Sequence, residues 1–403
     1  MRILIAEDER ITRATIARQL KAAGHEITEA EDGQQAWDLF RAAPAAAGFD
    51  IVITDWEMPR LSGVELVRKL RETPRNIYTY ILMLTSRSDK SDVVQGIEAG
   101  ADDFLTKPFD KEELRVRLLA GQRIVQLERA LNQQNAELRE ANDHIRSGLR
   151  AAARVQQSML PHAAISTPLV ASAFKYVPTD ELAGDAIGLH LIDDRFLVAY
   201  VLDVSGHGVP AALLSVSAMH ALAPNPLEAS LLRTRTPGDT GSVQKPSRVA
   251  LELNHRFRAG ENDGRYLTMI LTVLDTHIGK LHLTSAGHPP PFILRGQQPL
   301  PVPPSGGFPI AVDDSAEYEE FAIQLQPRDR LCLYSDGVIE QPGPGDVLFS
   351  DDRLLEILAN NHLTPPDQLA AEIVTALTTW ADATSFGDDI SLVIIDWLGP
   401  KTP

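Results

Sequence analysis

The chain runs to 403 residues, more than one ordinary hydrophobic core takes up, which points to two or three domains. With 44% hydrophobic and 23% charged residues it has a globular balance, and no apolar run approaches the roughly 20 residues that span a bilayer. A net charge of −17 argues against nucleic acid as a partner, since phosphate backbones demand clustered Lys and Arg; a single cysteine, Cys332, excludes a disulfide framework or a cysteine-rich zinc site.

The N-terminus enters an apolar run directly, without a basic-then-apolar leader, so a cytoplasmic protein is expected. That run, Ile3-Leu4-Ile5, is closed by the acidic pair Glu7-Asp8. Ile51-Val52-Ile53 is closed by Asp55, and Ile81-Leu82-Met83-Leu84 by the hydroxyl of Thr85. Phe104-Leu105 leads to Lys107-Pro108. Short β-type runs that each end on a polar group predict a parallel sheet whose strand ends share one crevice, where α/β sheets place their chemistry. Three carboxylates, a hydroxyl and a lysine there suit phosphoryl transfer to a side chain. Glu7, Asp8 and Asp55 hold a Mg²⁺ that neutralises the incoming group, Asp55 attacks it, and Lys107 and Thr85 hold its oxygens.

On these residues the stretch from Met1 to about Gly121 resembles the receiver domain of two-component response regulators. The resemblance implies a doubly wound α/β domain in residues 1–121, with Asp55 as phospho-acceptor and a sensor histidine kinase as phosphoryl donor. It makes Thr85 the switch hydroxyl and Phe104, three residues before Lys107, the switch aromatic. It also adds Glu57 to the metal-site residues and implies a cis Lys107-Pro108 peptide, which only proline makes tolerable. The sequence departs from the family in having Glu7 rather than Asp, and Phe104 rather than Tyr.

From about Asp110 to Leu160 the chain is polar and free of proline. Ile124, Leu131, Leu138, Ile145, Ala152 and Met159 recur every seven residues, each of the first five followed three later by Leu127, Gln134, Ala141, Gly148 or Val155. This a/d seam, flanked by Glu128-Arg129, Glu137, Arg139-Glu140 and Arg146, predicts a coiled-coil linker helix over residues 122–160 that joins two copies of the chain. A single helix lying along its own domain is the alternative. Gln134, Ala141 and Gly148 weaken the seam, which suits one that can shift.

After Pro161 the pattern turns to short apolar runs between Pro and Gly turns. Phe196 to Leu202 leads into Asp203-Val204-Ser205-Gly206-His207-Gly208; Tyr266 to Leu274 and Lys280 to Thr284 read as a hairpin; Arg330 to Tyr334 runs into Ser335-Asp336-Gly337; Asp388-Asp389 opens Ile390 to Ile395. Earlier comes Ala183-Gly184-Asp185. Asp-Gly alone signals only a turn. Several carboxylates without His or Cys as ligands favour hard ions, Mg²⁺ or Mn²⁺, and a cluster can hold two that activate a water and clamp a phosphoryl group. The segment from Pro224 to Pro246 has loop composition and reads as a solvated insertion, with a mobile flap or substrate contact as alternatives.

These stretches, with Ala153 to Pro161 at the entry and Ser285-Ala286-Gly287-His288-Pro289-Pro290, resemble the metal-dependent protein phosphatases of the SpoIIE/RsbU type. The resemblance implies a phosphatase domain in residues 161–397, a two-layered β-sandwich flanked by helices, acting on phosphoserine and phosphothreonine. It implies that Asp203 bridges two Mn²⁺ or Mg²⁺ ions, that the Val204 carbonyl binds one, that Asp336 and Asp388 bind the other, and that Asp185 holds a metal or its water. Asp389 is adjacent and stays a candidate ligand. His207 and His288 are assigned to loop orientation, with metal ligation as the alternative. Such phosphatases commonly act on phosphorylated STAS-domain anti-sigma-factor antagonists, which makes one the expected partner. The stretch Ala183 to Gly188 departs from the usual Gly-Gly-Asp and aromatic-aromatic-Asp pattern. A degenerate domain acting as a phosphoprotein-binding adaptor is therefore the competing reading, and a DNA-binding regulator is disfavoured by charge and by the β-rich second half.

Overall fold

The structure, a computed structural model, describes the chain apart from residues 45–47, 75–76, 87–89, 225–229, 234–242, 259, 261, 303–305, 382–385 and 401–403. Most of the 224–246 insertion thus lies outside the described residues. Two compact units form, Met1–His144 and Ile145–Pro403. No helix among the described residues is long and apolar enough to cross a membrane.

The first unit alternates strand and helix: β1 (Arg2–Ala6), α1 (Arg10–Ala22), β2 (Glu26–Ala30), α2 (Gly33–Ala42), β3 (Ile51–Asp55), α3 (Gly63–Glu72), β4 (Tyr80–Thr85), α4 (Lys90–Glu98) and β5 (Asp103–Thr106). The strands pair in parallel in the order β2-β1-β3-β4-β5. Strands β3 and β4 are buried along their whole length, as parallel strands covered on both faces must be. Alternate side chains go to opposite faces: Leu4, Val52, Ile81 and Met83 pack with Phe40 and Leu66, while Ile3, Ile53, Leu82 and Leu84 pack with Ile16, Leu20, Leu114 and Leu118. This is the doubly wound α/β fold.

Helix α5 (Lys111–Met159) is 49 residues long. It begins inside the receiver, because Leu114, Leu118 and Val125 pack on the sheet. Near its far end Ala153 and Gln156 are buried within the second unit. Between these anchors the heptad positions Leu131, Leu138 and Ile145 are 52%, 67% and 61% exposed.

The second unit holds β6 (Val170–Val177), β7 (Ala186–Ile192), β8 (Phe196–Val204), α6 (Val209–Ala221), α7 (Pro246–Arg256), β9 (Leu267–Asp275), β10 (Lys280–Ala286), β11 (Phe292–Arg295), β12 (Gln298–Pro299) and β13 (Phe321–Gln324). It continues with β14 (Asp329–Tyr334), α8 (Asp336–Ile339), α9 (Ser350–Asn360), α10 (Pro366–Ala381) and β15 (Ile390–Trp397). Two antiparallel sheets result, ordered β13-β10-β9-β8-β7 and β12-β11-β14-β15-β6. Leu331, Leu333, Val393 and Ile395 face the core they share with β8 and β9; the alternating Cys332, Tyr334, Leu392 and Ile394 face α9 and α10. Helices α6 and α7 cover the other sheet through Leu214, Ala218, Val249 and Leu253. The result is a two-layer sandwich flanked by helices. Cys332 is fully buried, and burial pushes its thiol up to about 12.

The departure at Ala186-Ile187-Gly188 has a packing cause. Ala186 and Ile187 are fully buried at the start of β7, and Gly188 pairs with Tyr200 on β8. A Cβ at Gly188 would lie 2.0 Å from the Tyr200 ring, which fills the space a side chain would need. Gly188→Ala should therefore cost about 1–3 kcal/mol in urea unfolding, and the cost should shrink in a Tyr200→Leu background where the ring is gone.

Candidate functional site

In the receiver, register places Ala6 beside Thr54, Asp55 beside Leu84 and Thr85 beside Thr106, so the strand ends meet at one edge. Glu7, Asp8 and Asp55 offer carboxylate oxygens all within 4.8 Å of one another. Glu7 is fully buried, Asp55 nearly so, and Asp8 is exposed. Lys107 Nζ donates to Glu7 Oε2 at 2.7 Å and lies 2.9 Å from Asp55 Oδ2, while the Trp56 amide donates to Asp55 Oδ1 at 2.8 Å. Burial pushes the Glu7 carboxyl up to about 6, with Lys107 opposing and the Asp55 charge adding. Burial also works against the Lys107 ammonium, but its bonds to Asp55 and Glu7 outweigh this and raise its pKa. Three carboxylates against one ammonium leave a group that fits a divalent cation of oxygen-liking type.

Thr85 is buried at the end of β4, its carbonyl accepting from the Lys107 amide at 2.7 Å, and Phe104 packs half-buried against the core. The Lys107-Pro108 peptide is cis. Glu57 does not join the acidic group: past the end of β3 the chain turns into a loop and leaves it exposed.

In the second unit, Asp203 and Val204 end β8, Asp185 precedes β7, Asp336 opens α8 after β14, and Asp388 precedes β15. Asp203, Val204, Asp336 and Asp388 line a cleft of about 680 Å³ with Gly206, His207 and Tyr266, and no Lys or Arg among the described residues lines it. Asp185 lies beneath it, 3% exposed, and its Oδ2 has no hydrogen-bond partner. Burial, then the charge of Asp203, hold the Asp185 carboxyl well above the usual range. Burial pushes Asp203 up to about 7, with Asp336, Asp388 and Asp389 adding, and Asp336 is raised by burial and by Asp388. Among the described residues no three of these oxygens crowd as closely as the receiver group does. Carboxylates strung along a cleft, without a balancing cation and with one buried oxygen orphaned, fit more than one hard cation.

Asp389 is placed differently from its neighbour. Its Oδ1 accepts from the Thr179 amide at 2.8 Å and the Thr179 hydroxyl at 2.9 Å, and its Oδ2 from the Gly184 amide at 3.0 Å and the Asp185 amide at 3.5 Å. Four donors occupy the lone pairs that an ion would need, so Asp389 ties down the 179–185 loop instead. Gly337 lets α8 approach this tie, since a Cβ there would lie 2.2 Å from the Asp389 carbonyl oxygen.

His288 is 1% exposed and engages both ring nitrogens, with Thr268 Oγ1 at 2.8 Å and the Tyr334 carbonyl at 3.0 Å, whereas His207 stands exposed at the cleft. Two further residues emerge that sequence reasoning left without a role. Thr179 sits in a loop with no signal of its own. Gln156, inside the entry stretch on α5, donates through Nε2 to the Ala183 carbonyl at 2.8 Å and accepts from the Ala183 amide at 3.3 Å.

A parallel α/β fold with an acid triad and lysine, followed by a long helix and a carboxylate-edged sandwich, describes a receiver-type domain joined to a second domain with a PP2C-like fold. The chain belongs to the SpoIIE family: the family described as Stage II sporulation protein E matches residues 193–398, and the response regulator receiver domain matches residues 3–119. The sandwich has the fold of the SiaA-PP2C domain of Pseudomonas aeruginosa, with a TM-score of 0.53 and 20% identity over 64% of this chain and 98% of that one. The phosphate regulon transcriptional regulatory protein PhoB of the same organism is 42% identical over 118 residues, 29% of this chain and 50% of PhoB. Response regulator MprA of Mycolicibacterium vanbaalenii is 42% identical over 120 residues, 30% of this chain and 49% of MprA. The chain thus spans about half the length of the curated relatives it matches.

Asp389→Ala should leave the Thr179 and Gly184 amides without an acceptor, costing about 1–3 kcal/mol. Urea unfolding should register the loss, and hydrogen exchange should accelerate at those two amides while β14 keeps its protection.

Proposed function

We infer that this chain is a response regulator whose output is metal-dependent hydrolysis of phosphoserine or phosphothreonine on a partner protein. The observation that carries the reading is the cleft edged by Asp203, Asp336 and Asp388 above Asp185, with no Lys or Arg lining it among the described residues, in a domain of the SpoIIE family. Asp203, the Val204 carbonyl, Asp336, Asp388 and Asp185 would hold two Mn²⁺ or Mg²⁺ ions. Bound there, such ions supply a water of lowered pKa and neutralise phosphoryl charge. The chain's own part is to fix the carboxylates on strand ends, with Asp389 holding the loop that bears Asp185. The adaptor reading leaned on the altered stretch 183–188. Ala186 and Ile187 are buried in β7 and Gly188 packs against Tyr200, while Asp185 of the same stretch is retained beneath the cleft, which supports the enzyme over the adaptor.

At the receiver, Glu7, Asp8 and Asp55 would hold Mg²⁺. An Asp55 carboxylate oxygen forms the new P–O bond as the P–N bond of a kinase phosphohistidine breaks. Lys107, now bridging Glu7 and Asp55, is placed to take a phosphoryl oxygen, with Thr85 and Phe104 responding behind it. Resemblance to SpoIIE/RsbU-type phosphatases makes a phosphorylated STAS-domain anti-sigma-factor antagonist the substrate we favour, in the cytoplasm.

The two activities meet on α5. Beyond the Gln156 bonds, Leu149 and Ala153 pack with Leu182 and Ala212, and Arg150 lies 3.8 Å from Glu181. The helix therefore touches the segment that delivers Asp185. Pairing of two chains along the exposed 124–159 stripe gives the helix a second state, and phosphorylation of Asp55 biases the equilibrium if it changes how receivers pair.

Phosphatase activity on a phosphoserine protein should vanish with chelator and return with Mn²⁺ or Mg²⁺, and Asp203→Asn or Asp336→Asn should lower it by orders of magnitude. Full turnover in chelator would sink the two-ion reading, and phosphoprotein binding without turnover would restore the adaptor.

Leu131→Glu with Leu138→Glu should convert dimers to monomers in sedimentation, with basal phosphatase activity that no longer differs between native Asp55 and Asp55→Asn under a phosphoryl donor. A double variant that stays dimeric, or responds fully as a monomer, would move the coupling off the helix.

A further inference from the structure

We propose that His288 is a positioning residue that sets the separation of Asp203 and Asp336, by linking the sheet that carries one to the sheet that carries the other. The proposal rests on the metal-phosphatase reading for the roles of those two aspartates.

The link can be followed atom by atom. Thr268 stands directly opposite Asp203 in the β8–β9 pair, and directly opposite residues of an antiparallel pair share one face. Its Oγ1 lies 2.8 Å from His288 Nδ1, and His288 Nε2 lies 3.0 Å from the carbonyl oxygen of Tyr334. A carbonyl only accepts, so Nε2 carries the hydrogen, Nδ1 has the lone pair, and the Thr268 hydroxyl donates to it. Tyr334 closes β14, and Ser335 and Asp336 follow. Each end of the imidazole is thus one short step from a cleft carboxylate, one on each layer of the sandwich.

The ring is held where it can do this. Ser285 Oγ donates to the His288 carbonyl at 2.9 Å and accepts from its amide at 3.2 Å, closing the turn beneath the imidazole. Burial lowers the ring's pKa to about 4, so it stays neutral and keeps one donor and one acceptor across the whole physiological range. Apolar contacts between sheets tolerate small slides, whereas two directional hydrogen bonds on a rigid ring do not. Hard cations such as Mg²⁺ demand near-ideal ligand spacing, which makes the gap between Asp203 and Asp336 a quantity worth fixing.

The test measures Mn²⁺ binding by titration calorimetry in the full-length chain, with Asp8→Asn present throughout to silence the receiver ion. His288→Gln and Thr268→Val should each weaken binding by about 10- to 100-fold, the usual cost of losing an outer support of a metal site. The double variant should be no weaker than the worse single one, because both cut the same link. Cys332→Ala, an equally buried change on β14 outside the link, should destabilise the fold yet leave Mn²⁺ affinity unchanged. Native affinity in a folded Thr268→Val or His288→Gln chain, or additive losses in the double variant, would overturn the proposal. Thr268→Val keeps the side-chain volume and decides the matter alone if His288→Gln fails to fold. A parent chain that binds no Mn²⁺ would instead bring down the metal-site reading, and this proposal with it.

Discussion

Carboxylates gathered into a part-buried space repel one another, and the arrangement of both units follows from how that repulsion is contained. In the receiver a single ammonium, Lys107, stands between Glu7 and Asp55, and the sheet register delivers all three. In the sandwich no Lys or Arg among the described residues lines the cleft, and containment falls to the backbone. Amides of Thr179, Gly184 and Asp185 converge on Asp389, so one carboxylate is neutralised by dipoles while Asp203, Asp336 and Asp388 line the cleft without them. Rigid strand ends are what make this sustainable, since a flexible loop would let the acids drift apart.

The two sites solve a related task with different tolerances. The receiver carboxylates crowd one spot beside one lysine, with room in charge for a single divalent ion. The sandwich strings its carboxylates between two sheets, so the distance between layers becomes part of the chemistry. That difference explains why the second site carries more supporting bonds around it: Gln156 on Ala183, Asp389 on the 179–185 loop, His288 across the layers.

Much of this was legible in the amino-acid order, because a strand end announces itself. Apolar runs stopping at Asp55, Thr85, Asp203 and Asp336 placed those groups correctly, and the hairpin from Leu267 to Ala286 followed from its turn. The distinction between Asp388 and Asp389 was not legible. Adjacent residues differ in direction, and the amides that claim Asp389 come from a loop more than two hundred residues earlier. Glu57 follows the end of β3, and its side chain lies outside the carboxylate group of Glu7, Asp8 and Asp55. The heptad stripe on α5 was readable as periodicity; in the fold Leu131, Leu138 and Ile145 are exposed, while its last member, Met159, packs against the core of the second unit. Strand β7 was obscured by Gly188, whose absent side chain is explained by a tyrosine on the neighbouring strand.

One feature reaches beyond the fold. The single thiol, Cys332, lies sealed beneath α9 and α10 with a strongly raised pKa, so it presents almost no thiolate to peroxide or to alkylating agents. Oxidants that silence thiol-based phosphatases have no handle on this chain. The same inertness leaves a clean background for a cysteine introduced at the exposed positions Leu131, Leu138 or Ile145 of α5, where a spin label or dye would attach to one place.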